Sequence, residues 1–283
     1  MKKKIAIIFS GQMRENSMGY SNDLTILNSY NKYFFNKLLK ETYDYDVYFS
    51  VDQININKTK EYFGSNLKNI NITEKSYFMN KTDNIIDYNI FHQKYLNRDF
   101  KGCETHSHEI YQYYRMYCGY KMAKYENNYD IYIRIRPDSR IMQDINILLN
   151  EIEKGKKIIC EHEQLCILTN EIEEMFNLID NYGNYDSLNP DPKENIKRYK
   201  HLVRNELSPD GTFTSDKIMM FCPEKQFMDH IFYILNKNNI SNNLFLGLVY
   251  PSFNLLYRGN NHYGYYNHDV NHFIPFSSIY NPK

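Results

Sequence analysis

Residues 129–140 read Tyr-Asp-Ile-Tyr-Ile-Arg-Ile-Arg-Pro-Asp-Ser-Arg. An alternating, β-branched run is stopped by Pro137, which delivers two arginines and a carboxylate to one strand tip. Open α/β sheets place their ligands outside such tips. A guanidinium fork matches phosphate oxygens, and a carboxylate can hold a divalent cation. Arg134, Arg136 and Asp138 thus have the residue types to bind a metal-bound diphosphate of the kind a nucleotide-sugar carries. Arg134 and Arg136 are two apart and share one face of the strand. Two like charges there need an anionic partner, which is either a ligand phosphate or an Asp or Glu in a structural ion-pair network.

Three further groups have usable chemistry. In Ser10-Gly11-Gln12-Met13-Arg14, a glycine after a first strand lets the backbone approach a ligand. Ser10 and Gln12 suit a base or ribose, and Arg14 suits a diphosphate. The spacing is neither G-x-G-x-x-G nor a P-loop, which disfavours NAD and P-loop ATP binding. The same five residues also fit an ordinary βα turn. In the 212–217 segment, Asp216 can contact an acceptor hydroxyl or take its proton, or simply cap a strand entry. His262, His268 and His272 lie in a polar tail with Asp269. His268 can complete an octahedral Mg or Mn site begun by an Asp, although tail histidines are usually solvated. No G-x-S-x-G elbow is present, which argues against serine hydrolase chemistry.

These groups need strands and helices to hold them. Residues 4–9 read as a buried β-branched strand, 23–40 as a helix and 46–51 as a second strand ending at Asp52, which together form the start of a parallel-sheet unit. Residues 58–67 suit a short helix and 75–79 a strand. Residues 104–127 form the longest helical candidate, with Ile110, Tyr114, Tyr117, Met122 and Tyr125 along one face. The strand at 130–135 follows at once. Helices are expected at 141–153, 171–181, 194–205 and 223–236. A hairpin is expected at 157–160 and 165–168, and a further strand at 216–222. Residues 251–283 resist assignment.

The chain has 283 residues, with 34 Lys+Arg against 34 Asp+Glu. It is long enough to bury a core without disulfides, and its zero net charge disfavours nucleic-acid binding. The five cysteines are odd in number and show no C-x-x-C spacing, which is the pattern of free thiols in a reduced, cytoplasmic protein. Cys160 and Cys166 flank Glu161-His162-Glu163, a loose spacing for zinc. No apolar run reaches the length of a membrane span, and the N-terminus lacks a signal-peptide pattern. The 28 tyrosines and the absence of Trp accord with AT-rich codons and are not by themselves a sugar-binding platform.

Four segments resemble a group of glycosyltransferase-like proteins with a GT-A type fold, found in capsule and surface-polysaccharide loci and in large DNA viruses. Residues 4–14 are similar to the group's first strand and SGQ-x-R loop. Residues 45–52 are similar to its second strand. The helix from Gln112 to Glu126 with residues 129–138 is similar to its Y-E…YD-x-x-x-R-x-R-x-D core, and residues 216–221 to a later strand. The resemblance implies an α/β fold with a GT-A-like, Rossmann-type, mixed but mainly parallel sheet flanked by helices. It implies one domain over 1–283, with a nucleotide-binding half at 1–140 and an acceptor-side half and tail at 141–283.

The implied activity is sugar transfer from a nucleotide-diphosphate-sugar to a glycan or protein acceptor, with Mn or Mg at Asp138 and no nucleic-acid partner. Ser10, Gly11, Gln12, Arg14 and Asp52 would hold the nucleotide. Arg134 and Arg136 would pair with phosphates or with Asp138 itself, Asp216 would serve the acceptor, and a homo-oligomer is compatible with the chain. The residue two after Asp138 is Arg140, so the D-x-D of many metal-dependent relatives is absent. The alternatives are a nucleotide-sugar-binding scaffold without turnover and, less well supported by the loop, a nucleotidyltransferase.

Overall fold

Ile5, Ala6, Ile7, Ile8 and Phe9 are apolar on both faces of a strand, so a core must cover them on both sides. The computed structural model describes residues 2–13, 25–38, 41–73, 110–139, 141, 144–161, 165–181 and 245–247, with scattered positions from 227 to 241. In it, β1 (Lys3–Gly11) is interior to a sheet and all five of those residues are fully buried. Each such Ile or Phe is worth about 1.5–3 kcal/mol of apolar burial.

The chain continues through α1 (Thr25–Tyr30), a π turn (Asn31–Phe35), β2 (Tyr43–Val51), α2 (Ile56–Phe63), a 3₁₀ turn (Gly64–Asn66) and β3 (Leu67–Ile72). Next come α3 (Ile110–Glu126), β4 (Ile131–Ile135), α4 (Ile145–Glu153), β5 (Ile158–Glu161) and β6 (Leu165–Thr169). A 3₁₀ stretch (Asn170–Asn177), α5 (Leu178–Asn181) and β7 (Phe245–Gly247) complete the described elements. The strands form one seven-stranded sheet in the order β3-β2-β1-β4-β6-β5-β7. The pairs β1–β2, β1–β4, β2–β3 and β5–β7 are parallel. β6 runs antiparallel to both of its neighbours. The sheet is thus mixed, mainly parallel and flanked by helices, as the sequence predicts, and strands from before and after residue 140 share it.

Alternate residues of the central strands feed two cores. Ile5, Ile7, Phe9, Ile131, Ile133 and Ile135 pack with residues of α1, α2 and α4. Ala6, Ile8 and Tyr132 pack with α3, the 3₁₀ stretch and helical residues such as Phe227 and Ile231. Of the expected face of α3, Tyr114 is buried and Tyr117 and Met122 pack half-buried against the core, whereas Tyr125 does not. Tyr113, Met116, Tyr120 and Ala123 are buried, whereas Tyr125 is 91% exposed. Gly119 sits within the buried stripe, and a Cβ there would lie 2.5 Å from Ile8 Cγ2. The glycine lets α3 settle close on β1. An apolar side-chain count passes over it.

Other differences follow from weak periodicity. The expected helix at 171–181 is 3₁₀ over its first seven residues. β3 shares only Leu67 with the helix expected at 58–67, and the rest of it has no counterpart in the sequence pattern, because Leu-Lys-Asn-Ile-Asn-Ile is a half-exposed edge strand with little apolar signal. The expected strands at 75–79 and 216–222 and the helix at 194–205 lie outside the described residues.

Candidate functional site

Strand order reverses between β1 and β4, since the chain proceeds outward from β1 to β2 and β3 and then returns to β1's other side. The carboxyl ends of these two strands therefore flank the switch point where open α/β sheets bind ligands. Ser10 and Gly11 end one strand, and Arg136, Pro137, Asp138 and Ser139 follow the other. Gly11 has φ +141°, a conformation that L side chains rarely adopt. A Cβ on it would lie 3.5 Å from Pro137 Cδ and 3.9 Å from Arg136 Cγ. The two strand tips are in direct apposition.

Arg134 lies in β4 and Arg136 just past its end, and the two take different partners. Arg134 is fully buried. Its Nε donates to Ser10 Oγ at 2.9 Å and its Nη2 to the Ser10 carbonyl at 3.1 Å. Arg136 forms a two-point pair with Asp138, with Nε to Oδ1 at 3.0 Å and Nη2 to Oδ2 at 2.9 Å. The Asp138 side chain is 1% exposed and that of Arg136 11%. The chain's own carboxylate therefore neutralises one arginine at the strand tip.

The Ser139 hydroxyl and the Tyr30 hydroxyl are both buried without a hydrogen-bond partner. Tyr30 rises from α1 against Phe9, their rings 5.4 Å apart. Burial, and then the Asp138 carboxylate, hold its phenol well above the usual range, with the Arg134 charge opposing. Across the sheet, Cys166 lies opposite Arg134 on β6. Burial pushes its thiol up to about 12, again against the arginine's pull. Cys166 is also the cross-strand neighbour of Cys160, and among the described residues no cluster of three or more potential metal ligands is present.

The remaining sequence-predicted residues are distributed around this centre. Ser10 is turned inward to Arg134. Gln12 is exposed just beyond β1. Asp52, at the end of β2, accepts from the Met13 backbone N–H at 2.7 Å, so its carboxylate shapes the loop after β1. Arg14, Asp216 and His268 lie outside the described residues.

One residue at this edge escaped the sequence reading. The end of α3 leads directly into β4, so the first turns of α3 stand at the carboxyl edge of the sheet. Arg115 is buried there, and its Nη2 donates to the Thr73 carbonyl at 2.7 Å. Desolvation lowers its pKa, and the Asp52 carboxylate opposes that shift. The signal was a lone arginine inside the tyrosine-rich buried stripe of a helix.

No protein-family model matches the chain, and no curated protein matches it in sequence. Among solved structures it is similar to mouse xyloside xylosyltransferase 1 in its apo form, at 8% identity over 87% of this chain and 84% of that one, with a TM-score of 0.38. It is similar to the S. cerevisiae mannosyltransferase Ktr4p in complex with GDP, at 13% identity over 56% of this chain, with a TM-score of 0.32. The match spans 40% of the mannosyltransferase's length. A cytidylyltransferase from Leptospira borgpetersenii matches at 14% identity over 85% of this chain and 97% of that one, with a TM-score of 0.29. All three TM-scores lie below 0.5, and a likeness that distant defines neither the fold nor the chemistry of this chain. Among the described residues, no helix is long and apolar enough to cross a membrane.

Proposed function

We propose that the chain holds a nucleotide-diphosphate-sugar at the carboxyl ends of β1 and β4 and transfers the sugar to a glycan or protein acceptor. The observation that carries this reading is the buried Arg136–Asp138 pair, set at the switch point beside Gly11. The arginine suits a diphosphate and the aspartate suits its counter-cation.

The Asp138 carboxylate suits Mg or Mn, which commonly combine one or two carboxylates with substrate phosphates and water, and the Ser139 hydroxyl beside it in the chain is buried without a partner. When bound, such a cation offsets charge developing on the leaving diphosphate. Asp138 would hold it. Gln12, Arg14 and Asp52 would face the nucleotide, Asp216 would take the acceptor's proton, and His268 would complete the cation's ligands. The roles of Arg14, Asp216 and His268 rest on sequence alone.

A thermal-shift screen of UDP-, GDP-, CMP- and dTDP-sugars, each with Mn, Mg or EDTA, tests the reading. A donor at 100 times its dissociation constant stabilises the folded state by about 2.7 kcal/mol. A metal-dependent shift with one donor, lost in Asp138→Ala, is the expected result. A shift indifferent to metal would leave Asp138 a structural residue. No shift with any donor would overturn the reading.

A further inference from the structure

Away from the strand tips, the α1 face of the sheet holds a cavity of about 420 Å³. That is within the roughly 300–1,000 Å³ of small-molecule sites. Its lining consists of three carboxamides, Asn31, Asn36 and Asn66, and four aromatic rings, Phe35, Tyr45, Tyr62 and Phe63. No acid or base is among them, so neither a phosphate nor a metal is the natural occupant. Tyr45 lies seven residues before Asp52, which places the cavity roughly 20 Å along β2 from the switch point.

The backbone is shaped to form this site. The π turn Asn31–Phe35 is closed by Asn36 N–H donating to the Asn31 carbonyl at 3.1 Å. The wide turn brings Asn36 round to Asn31, and such turns recur at functional sites. On the other wall, the 3₁₀ turn after α2 brings Asn66 to Tyr45. Phe63 supports the Tyr62 ring edge-on, with centroids 4.7 Å apart, and the Tyr62 hydroxyl donates to Asn31 Oδ1. Burial raises the pKa of both Tyr45 and Tyr62, so both phenols stay neutral donors. Asn36 is exposed, and Asn31 and Asn66 are half-buried at the mouth.

From this neutral, aromatic-walled, carboxamide-rimmed cavity we infer a carbohydrate-binding site for a neutral glycosyl unit, separate from the site at β1 and β4. A pyranose presents hydroxyls around its edge, each a donor and an acceptor, and an apolar C–H face. Each carboxamide supplies two N–H donors and an acceptor oxygen, and aromatic rings supply rigid apolar walls. The site would anchor part of a glycan on the body of the protein, and it stands whether or not sugar transfer occurs at the strand tips.

Saturation-transfer-difference NMR on the full chain tests it. The probes are the methyl glycosides of glucose, galactose, mannose, xylose and N-acetylglucosamine, with uridine and guanosine as controls. At about 10 mM, nine-tenths of a millimolar site is filled. The expected result is saturation of ring protons of at least one glycoside, unaffected by added UDP, GDP or CMP with Mn. Tyr62→Ala and Asn36→Asp should each weaken that glycoside's binding at least about fivefold, the loss of one hydrogen bond. Both side chains are partly or fully exposed, and unchanged circular dichroism checks folding. Transfer from no glycoside, from nucleosides only, or with full strength in both variants would overturn the inference. So would displacement of the glycoside by a nucleotide, which would return the sugar to the strand-tip site.

Discussion

Arg134 reaches from β4 to β1 and holds Ser10 at two points, its hydroxyl at 2.9 Å and its carbonyl at 3.1 Å. This clasp lies one residue before Gly11, so it ties together the two strand tips that flank the switch point. Ser10→Ala removes the acceptor that Nε uses in a site with no solvent exposure. Hydrogen bonds to charged groups contribute about 1.5–3 kcal/mol. A loss of that size in urea unfolding is expected, and a change under about 0.5 kcal/mol, the range of ordinary surface substitutions, would show that the clasp does not hold the tips.

Gly119→Ala sets two effects against each other. In an open helix, alanine gains about 1 kcal/mol over glycine. Here the new Cβ meets Ile8 Cγ2 at 2.5 Å, and Ile8 is fully buried and β-branched, so it has no room to yield. Overpacking of about 1–3 kcal/mol wins, and the variant melts lower. Combined with Ile8→Ala, the two losses should be less than additive, which a double-mutant cycle by urea unfolding measures.

Asp138→Asn breaks a buried ion pair. Removing one partner of such a pair costs about 3–5 kcal/mol, whereas replacing both with apolar residues is often near neutral. Arg136→Met with Asp138→Leu should therefore recover most of the stability that Asp138→Asn loses, while donor-dependent thermal shifts stay absent. Recovery of the shifts along with the stability would assign the pair to structure alone.

His230 sets an acid limit. It is fully buried, near the Glu174 carbonyl at 3.3 Å. Desolvation lowers its pKa to about 4, with hydrogen bonds from the ring to the Glu174 and Met175 backbone opposing. The unfolded chain binds this proton near the ordinary 6.5, so between about pH 4 and 6.5 the unfolded state holds more protons. The stabilising effect of the neutral ring is complete above about pH 6.5 and falls on acidification, by roughly 3 kcal/mol at pH 4. Melting temperature against pH should show this slope, and His230→Gln should flatten it.

Much of the frame was legible before folding. The apolar run at 5–9 and the Ile-Tyr-Ile-Arg-Ile run at 131–135 could only be interior strands, and Pro137 could only end the second. The β5–β6 hairpin followed from two short apolar runs. The helix-forming segments were less legible, because much of their structure is set by packing. Asn31–Phe35 widens to a π turn and Asn170–Asn177 tightens to 3₁₀, and neither leaves a pattern that periodicity detects. The cavity at Asn31 and Tyr45 joins residues from four elements, and its asparagines and tyrosines looked like codon bias.

Period-two alternation is a local property of the chain, so residue order alone placed Arg134 within an alternating strand and Arg136 and Asp138 on either side of the proline that ends it. Partner choice is not local. Arg134 closes on Ser10 and Arg136 on Asp138 because β4 returns to pair with β1 in a register that sets Arg134 beside Ile8 and leaves Arg136 past the last pair. That register is chosen by two cores packing at once on opposite faces of the sheet, a condition that no single segment contains.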